Sequence, residues 1–385
     1  MRILYASCGS TWINHSAAEM LRLGQQAWLY TPSKNTTGLP ATNYKRAWLF
    51  AAACQPFFRL AGGRFAEPGF HALYPLWQAW FRSQKLPECD VVHSVMASGS
   101  EPFRYAERIG ALKVLDASNS HPTSFYGFWQ RELDIWNPGE TVGVPRRVMA
   151  RCNREIERAD VLICASTYVR DSMIYNGVPE SKLVVNPFGA DLSIFSPRTR
   201  LPDKPRFLFA GALTVRKGLQ YLLPAFERLK KEFPAAELIL CGGVYPDFKK
   251  LYDQWRHLFT HSKSLPHQEL AKMMQSCTAF VFPSIEEGFA RVIAEAMASG
   301  LPIIATHNSG ASTTVEDGRE GFIVPARSSE AVYERMKELI QRPDLCEAMG
   351  RAAAAKMATG GSWADFGGRL KQSYERFLSA RNGKR

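Results

Sequence analysis

FPSIEEGFARVIAEAMASG, residues Phe282 to Gly300, is the stretch whose breaks decide the architecture. It opens at the end of a short apolar run (Ala279, Phe280, Val281, Phe282) that stops at Pro283, as a buried strand does when its next residue cannot continue the ladder. Glu286 and Glu287 follow, and the chain turns at Gly288. Apolar Phe289, Val292, Ile293, Ala296 and Met297 then recur at helical spacing as far as Gly300. A strand, a tight acidic turn and a helix starting at that turn make an anion site, with the amides of Gly288, Phe289 and Ala290 free at the positive end of the helix. Glu287 stands at its mouth, and Glu295 lies about two turns further down. Taken singly, a glutamate at a helix start is capping chemistry and one in mid-helix is solvated. Taken together, carboxylates beside a phosphate site are expected to face hydroxyls. The ligand is then one with both phosphate and polyol parts, such as a sugar nucleotide.

Outward from this stretch, short Val/Ile/Leu-rich runs alternate with helical segments along the chain. Arg2–Ala6, Ala27–Tyr30, Asp90–His93, Leu112–Asp116, Val161–Cys164 and Leu183–Val185 form a first set. Arg206–Ala210, Leu238–Cys241, Ala279–Phe282, Pro302–Ala305 and Phe322–Val324 form a second. Unalternating runs of this kind are strands buried on both faces of a parallel sheet. FSPRTRLPDKP (Phe195–Pro205) separates the sets and reads as a linker. The expectation is an α/β protein of two Rossmann-like domains, residues 1–198 and 199–362, with a cleft between them. At 385 residues, each domain has room for its own core.

Composition narrows the classes. A hydrophobic content of 46% with 22% charged residues is that of a folded globular chain. The formal charge of +12 suits a polyanionic partner: nucleic acid, an anionic membrane surface or a phosphate-bearing ligand. The eight cysteines are scattered with no Cys-x-x-Cys pair, so they read as small buried hydrophobes in a reducing cytosol. MRILYASCGS is too short for a signal peptide's apolar region, and no run of 18 apolar residues is long enough to span a membrane. Between Thr42 and Lys85, eleven aromatics accompany six bases (Lys45, Arg46, Arg59, Arg64, Arg82, Lys85) and one acid, Glu67. That mixture fits an interfacial contact with an anionic membrane, and equally a core with a solvated face. No nucleic-acid motif goes with the charge, and no nucleic-acid partner is expected.

A second candidate site opens the second domain. In FLFAGALTVRKGLQYLLPAFERL a strand ends at Gly211, a loop holds Arg216, Lys217 and Gly218, and a helix follows. Glycine lets backbone approach a ligand closely, and two cations beside it take up the charge of a departing diphosphate. In the first domain, Gly9-Ser10-Thr11 follows the first strand where a loop reaches over ligand phosphates, with His15 near it. There is no Gly-x-Gly-x-x-Gly, which speaks against a nicotinamide enzyme. His121, after the strand Leu112–Asp116, sits where a parallel sheet feeds its crevice. His93 is a competitor at another strand end.

The run PSIEEGFARVIAEAMASGLPIIAT resembles the signature of retaining family 4 glycosyltransferases of the GT-B fold: two glutamates with seven residues between, followed by EAMA, a small-Gly pair and a short strand. That resemblance implies that Glu295 holds the ribose hydroxyls, and that Glu287 with the amides after it holds the transferred sugar and the phosphate. It also implies that His121 lies against that sugar, that the loop around Ser264–His267 meets the base, and that helix 363–380 crosses back onto the first domain. Gly-x-Leu-x-x-x-Lys-Gly is the family's diphosphate clamp. In this chain Ala212 stands where the family usually has arginine, and Arg216 is expected to supply that cation. VVNPFGADLSIFSP (Val184–Pro197) is similar to the family's hinge-side motif, its Asn186, Gly189 and Asp191 structural.

The implied activity is transfer of a sugar from a nucleotide-sugar donor to a glycan or lipid-linked acceptor, with catalytic roles for Glu287, His121, Lys217 and Arg216. The enzyme is expected to be cytoplasmic or peripheral on the cytoplasmic membrane face. No Asp-x-Asp and no zinc spacing is present, so no metal or other cofactor is expected. Two alternatives stay open: a GT-B-like epimerase acting on the sugar nucleotide itself, and a sugar-nucleotide or polyanion binding protein without catalysis.

Overall fold

Apolar strands that alternate with amphipathic helices have one economical solution, a parallel sheet covered on both faces, and the chain adopts it twice. The computed structural model describes residues 1–9, 12–59, 66–143 and 146–383. The first sheet contains β1 (Arg2–Ala6), β2 (Gln26–Thr31), β3 (Tyr44–Arg46), β4 (Val91–Val95), β5 (Leu112–Ala117), β6 (Val161–Cys164) and β7 (Leu183–Val185), in the order β3-β2-β1-β4-β5-β6-β7. The second contains β8 (Arg206–Ala210), β9 (Glu237–Cys241), β10 (Thr260–Ser262), β11 (Ala279–Phe282), β12 (Ile303–Thr306) and β13 (Gly321–Val324), in the order β10-β9-β8-β11-β12-β13. Every pairing is parallel. Strand order reverses between β1 and β4 and again between β8 and β11, which places a crevice outside the carboxyl ends of those four strands.

All the expected strands are present within a residue or two. β3 and β10 were not anticipated. Each has three residues and closes one edge of its sheet, where exposed Lys45 and Arg46 on β3 blunt further pairing. Central strands are the opposite case. All four residues of β11 are buried, and Phe282 stacks on Phe209 with ring centroids 5.5 Å apart at 8°. Each such phenylalanine contributes roughly 1.5–3 kcal/mol by leaving water.

Two chain crossings join the domains side by side. Ala190 N–H donates to Gly361 O at 2.8 Å, and a Cβ on Gly189 would lie 2.4 Å from the Ser362 backbone, so only glycine fits there. Asn186 holds the same junction: its amide donates to Phe366 O and its Oδ1 accepts from Arg369. The last helix, Trp363–Asn382, starts on a capping box of Ser362 and Asp365 and lies against the helix Ile13–Arg22 of the first domain. A Cβ on its Gly367 would come within 2.5 Å of Glu19 Cβ.

The aromatic, basic segment divides. Phe50, Trp77 and Phe81 are buried with Tyr30 and Leu4 in a core of their own, whereas Trp48, Leu49 and Leu76 stand in solvent. Arg64 lies outside the described residues. All eight cysteines are free and buried. Among the described residues no helix is long and apolar enough to cross a membrane.

One buried acid makes a stability prediction. Glu155, on the helix Arg146–Arg158, accepts from Ser100 Oγ at 2.9 Å. Burial pushes its carboxyl up to about 7, against the Ser100 hydrogen bond. The unfolded carboxyl ionises near about 4.3, so between that value and 7 the native state binds the extra proton and stability falls as pH rises, by up to about 1.4 kcal/mol per pH unit. Glu155→Gln is expected to remove that slope. Urea unfolding of both proteins at pH 5, 6 and 7 checks it, and a stability difference that stays constant with pH would contradict it.

Candidate functional site

The loop after β11 is knitted before any ligand is considered. Ile285 N–H donates to Arg216 O at 2.9 Å, Glu287 N–H to Asn308 O at 2.9 Å, and the Asn308 amide to Ile285 O at 2.9 Å. These bonds tie the loops that leave β8, β11 and β12 into one unit. The helix beyond begins at Arg291 with Ala290 as its cap residue and ends at Ala298. This corrects the expectation that it starts at the turn. Gly288, Phe289 and Ala290 form an extended approach to the helix, and the first helical amides are those of Arg291 and Val292. Among the described residues the Gly288, Phe289 and Ala290 amides have no acceptor, so an outward row of donors remains, three residues longer than a helix end alone provides.

A cleft of about 550 Å³ opens at this point between the domains. Its second-domain wall is built by Gly211, Ala212, Lys217, Gly242, Glu287, Phe289, Ala290, Arg291 and Glu295, with Ser264, Leu265 and His267 at one end. Trp12, Ser118, Asn119 and Phe188 face them from the other side. Lys217 Nζ pairs with Glu287 Oε2 and lies over the Phe282 ring at 5.0 Å. Glu295 Oε1 is 4.0 Å from His267 Nε2. Burial pushes the Glu287 carboxyl up, but the Lys217 and Arg216 charges outweigh it and hold the group at about 2. Lys217 is lowered, because burial outweighs its attraction to Glu287. Burial raises Glu295, against the pull of His267 and Arg291.

Arg216 stands elsewhere than expected. Its Nη1 donates to Glu286 O at 2.7 Å and to Glu287 Oε2 at 3.1 Å, and its guanidinium sits over the Phe125 and Trp129 rings of the first domain at 5.2 and 5.8 Å. It is a partly buried strut that braces Glu287 against the first domain, and of the two cations Lys217 is the one that lines the cleft. Ala212 keeps its place open. Glu286, to which the sequence assigned no role, is fully buried beside it. Glu286 accepts from Ser120 Oγ at 2.8 Å and lies 3.5 Å from Arg216, and burial pushes its carboxyl up to about 7 against the Arg216 charge. With Glu286 protonated, the cluster of Arg216, Lys217, Glu286 and Glu287 carries a net positive charge, the sign a diphosphate needs.

His121 is likewise put to other use. It caps the helix Pro122–Trp136, its Nδ1 accepting from Thr123 N–H at 3.3 Å, and it is not among the cleft-lining side chains. Burial lowers its pKa, so it stays neutral with its proton on Nε2. Gly9 is exposed and is not among the cleft-lining residues, its amide donating to Ser7 Oγ, while Ser10 and Thr11 lie outside the described residues. His15 stacks on Trp363 with centroids 4.0 Å apart, and burial lowers it to about 4. His93 is wholly buried. Glu286, Ser120 and Trp12 were missed because their partners lie in the other domain or more than a hundred residues away, which leaves no local periodicity to read.

Domain closure is written into one glycine. A Cβ on Gly288 would lie 2.0 Å from Ser118 O, and Gly288 O accepts from Ser166 Oγ at 2.5 Å. Gly288→Ala is expected to wedge the domains apart, with turnover lowered about tenfold or more while the melting temperature changes little. Steady-state kinetics with calorimetric melting checks this, and unchanged turnover would contradict it.

Fold and cleft together define a two-domain GT-B protein with Lys217, Glu287 and Glu295 on one wall of its crevice. Residues 193–356 match the family described as glycosyl transferases group 1. The D-inositol 3-phosphate glycosyltransferase of Paenarthrobacter aurescens is 28% identical over 228 residues, 54% of this chain and 56% of that one. The chain thus spans little more than half the length of that relative. A GDP-mannose-dependent alpha-(1-6)-phosphatidylinositol monomannoside mannosyltransferase of Mycobacterium tuberculosis is 25% identical over 337 residues, 81% of this chain and 83% of that one. Among solved structures, Anabaena HepE in complex with UDP-glucose superposes with a TM-score of 0.69 at 15% identity, covering 99% of this chain and all of the other, a likeness of fold.

Proposed function

We propose that the protein is a retaining glycosyltransferase that moves a sugar from a nucleotide-sugar donor to a glycan or lipid-linked acceptor. The observation that carries this is the second-domain wall, where Lys217 and a row of unpaired amides stand beside Glu287, and Glu295 lies further along. A nucleotide sugar requires positive charge for its phosphates next to carboxylates that accept from its hydroxyls. The Paenarthrobacter and Mycobacterium relatives and the UDP-glucose complex of HepE support the same class. Lys217 and the amides from Gly288 to Ala290 take up the charge of the leaving diphosphate. Glu287 orients the sugar, Glu295 the nucleoside, and the loop Ser264–His267 the base. The acceptor hydroxyl attacks from the face the diphosphate leaves, and its proton goes to the departing phosphate oxygen. Most of the acceleration comes from orientation and charge stabilisation.

Lys217 and the amides fill the role a divalent ion has elsewhere, so transfer proceeds without metal. The same reading makes the enzyme peripheral on the cytoplasmic membrane face, and it is supported by Trp48 and Leu49, 62% and 63% exposed next to exposed Lys45 and Arg46. The test is incubation with UDP-, GDP- and ADP-sugars in EDTA, with polar lipid extract or glycan as acceptor, and the product anomer read by NMR. Acceptor-dependent product with the donor's anomeric configuration supports the reading. Conversion of the donor alone, or an inverted product, contradicts it.

A further inference from the structure

Behind the first-domain wall of the cleft lies a buried polar chain that the proposed transfer does not employ. Trp12, half-buried, presents its ring to the cleft and meets Phe188 at 5.6 Å. Its indole N–H donates to Asp116 Oδ2 at 3.1 Å, and that oxygen is 3.7 Å from His93 Nε2. On the far side, His93 Nδ1 is 2.5 Å from the Tyr374 hydroxyl, which is 3.0 Å from the Tyr5 hydroxyl. Asp116, His93, Tyr374 and Tyr5 are all buried. Burial keeps both tyrosines protonated; with Tyr5 donating to Tyr374 and Tyr374 to His93 Nδ1, the His93 proton stands on Nε2, 3.7 Å from the Asp116 oxygen that accepts from Trp12.

A buried carboxylate at the end of an apolar strand is costly for folding alone, and an apolar residue would serve the core better. What this one does is hold an indole in one plane through the hydrogen bond that Trp12 donates to Asp116 Oδ2. The use of a fixed indole follows from where it stands. The donor is held by the second-domain wall, so the wall opposite is left for the second substrate. A rigid aromatic face there matches the C–H face of a saturated ring whose hydroxyls lie at its rim. We propose that Trp12 is the platform on which the ring of a cyclic, polyhydroxylated acceptor stacks, and that Asp116, His93 and Tyr374 are positioning residues that fix its plane. This rests on the glycosyltransferase reading.

Saturation-transfer NMR tests it, with methyl hexopyranosides and myo-inositol as ring probes, sorbitol as the open-chain control, and UDP and GDP present. In the wild type, C–H protons of the ring probes are expected to receive saturation and sorbitol little. Trp12→Ala lowers ring-probe affinity about tenfold, equivalent to about 1.4 kcal/mol. Trp12→Phe, which keeps an aromatic face but loses the N–H to Asp116, restores only part of it, and Tyr374→Phe, which is remote from the cleft, lowers it severalfold with the nucleotide signals unchanged. No transfer to any ring probe, or equal transfer in Trp12→Ala, overturns the proposal. If the nucleotide signals persist in that case, only the platform falls. If UDP and GDP show no transfer either, the donor reading falls with it.

Discussion

Lys217→Ala is expected to lower the rate of sugar transfer by about 10²–10³ while leaving the protein folded, the effect of removing one preorganised charge from a developing anion. The reason is geometric. Lys217 is the cation that reaches the cleft wall, and it is 7% exposed, so water does not take over its place in the bound complex. Its removal also takes one of the two partners from Glu287. Orphaning a buried charge costs about 3–5 kcal/mol, but Arg216 remains 3.1 Å from the same carboxylate, so the loss of stability falls short of that. Donor consumption at saturating nucleotide sugar, read beside thermal melting, separates the two effects. A folded Lys217→Ala protein with wild-type turnover contradicts the assignment.

Glu287→Gln separates binding from chemistry in the opposite sense. The amide keeps the shape of the side chain but removes a negative charge that Lys217 and Arg216 currently neutralise, leaving Lys217 without its counter-ion on the cleft wall. Nucleoside diphosphate binding is expected to stay the same or tighten, while turnover falls by about 10², because the carboxylate that accepts from the sugar hydroxyls is lost. Binding by calorimetry and turnover on the same preparation should move apart in this variant, whereas both fall in Lys217→Ala. Weaker nucleotide binding together with full turnover would reverse the roles of Glu287 and Lys217. The ion pairs of Glu287 also stabilise the fold at pH above about 4.3, the unfolded carboxyl's value, and that contribution is lost as pH drops towards 2.

Long-run chemistry was legible and short-range exceptions were not. β1, β6, β8 and β11 are continuous apolar runs bounded by turn residues, and they emerge with the limits read from the chain. β3 and β10 are three-residue edges with too few apolar positions to register. At the cleft, Lys217, Glu287 and Glu295 lie on one wall because they flank the same two strand ends, a relation that spacing along the chain preserves. Arg216 and Lys217, adjacent in the short turn Val215–Lys217, both reach Glu287 Oε2, but the Arg216 guanidinium also lies over the rings of Phe125 and Trp129, which no spacing along the chain announces. His121 was read from its strand-end position, and the first turn of its own helix claims its Nδ1. Asp116 and Trp12, 104 residues apart, have no sequence signal at all.

The donor site on the second-domain wall is the central claim, and calorimetric titration with UDP, GDP and ADP in EDTA tests it most directly, for wild type, Lys217→Ala and Glu295→Ala. One nucleotide is expected to bind the wild type, with affinity lowered about tenfold or more in each variant, since each removes a charged or hydroxyl-accepting partner. Binding of equal strength in all three proteins, or none by the wild type, would contradict the donor site.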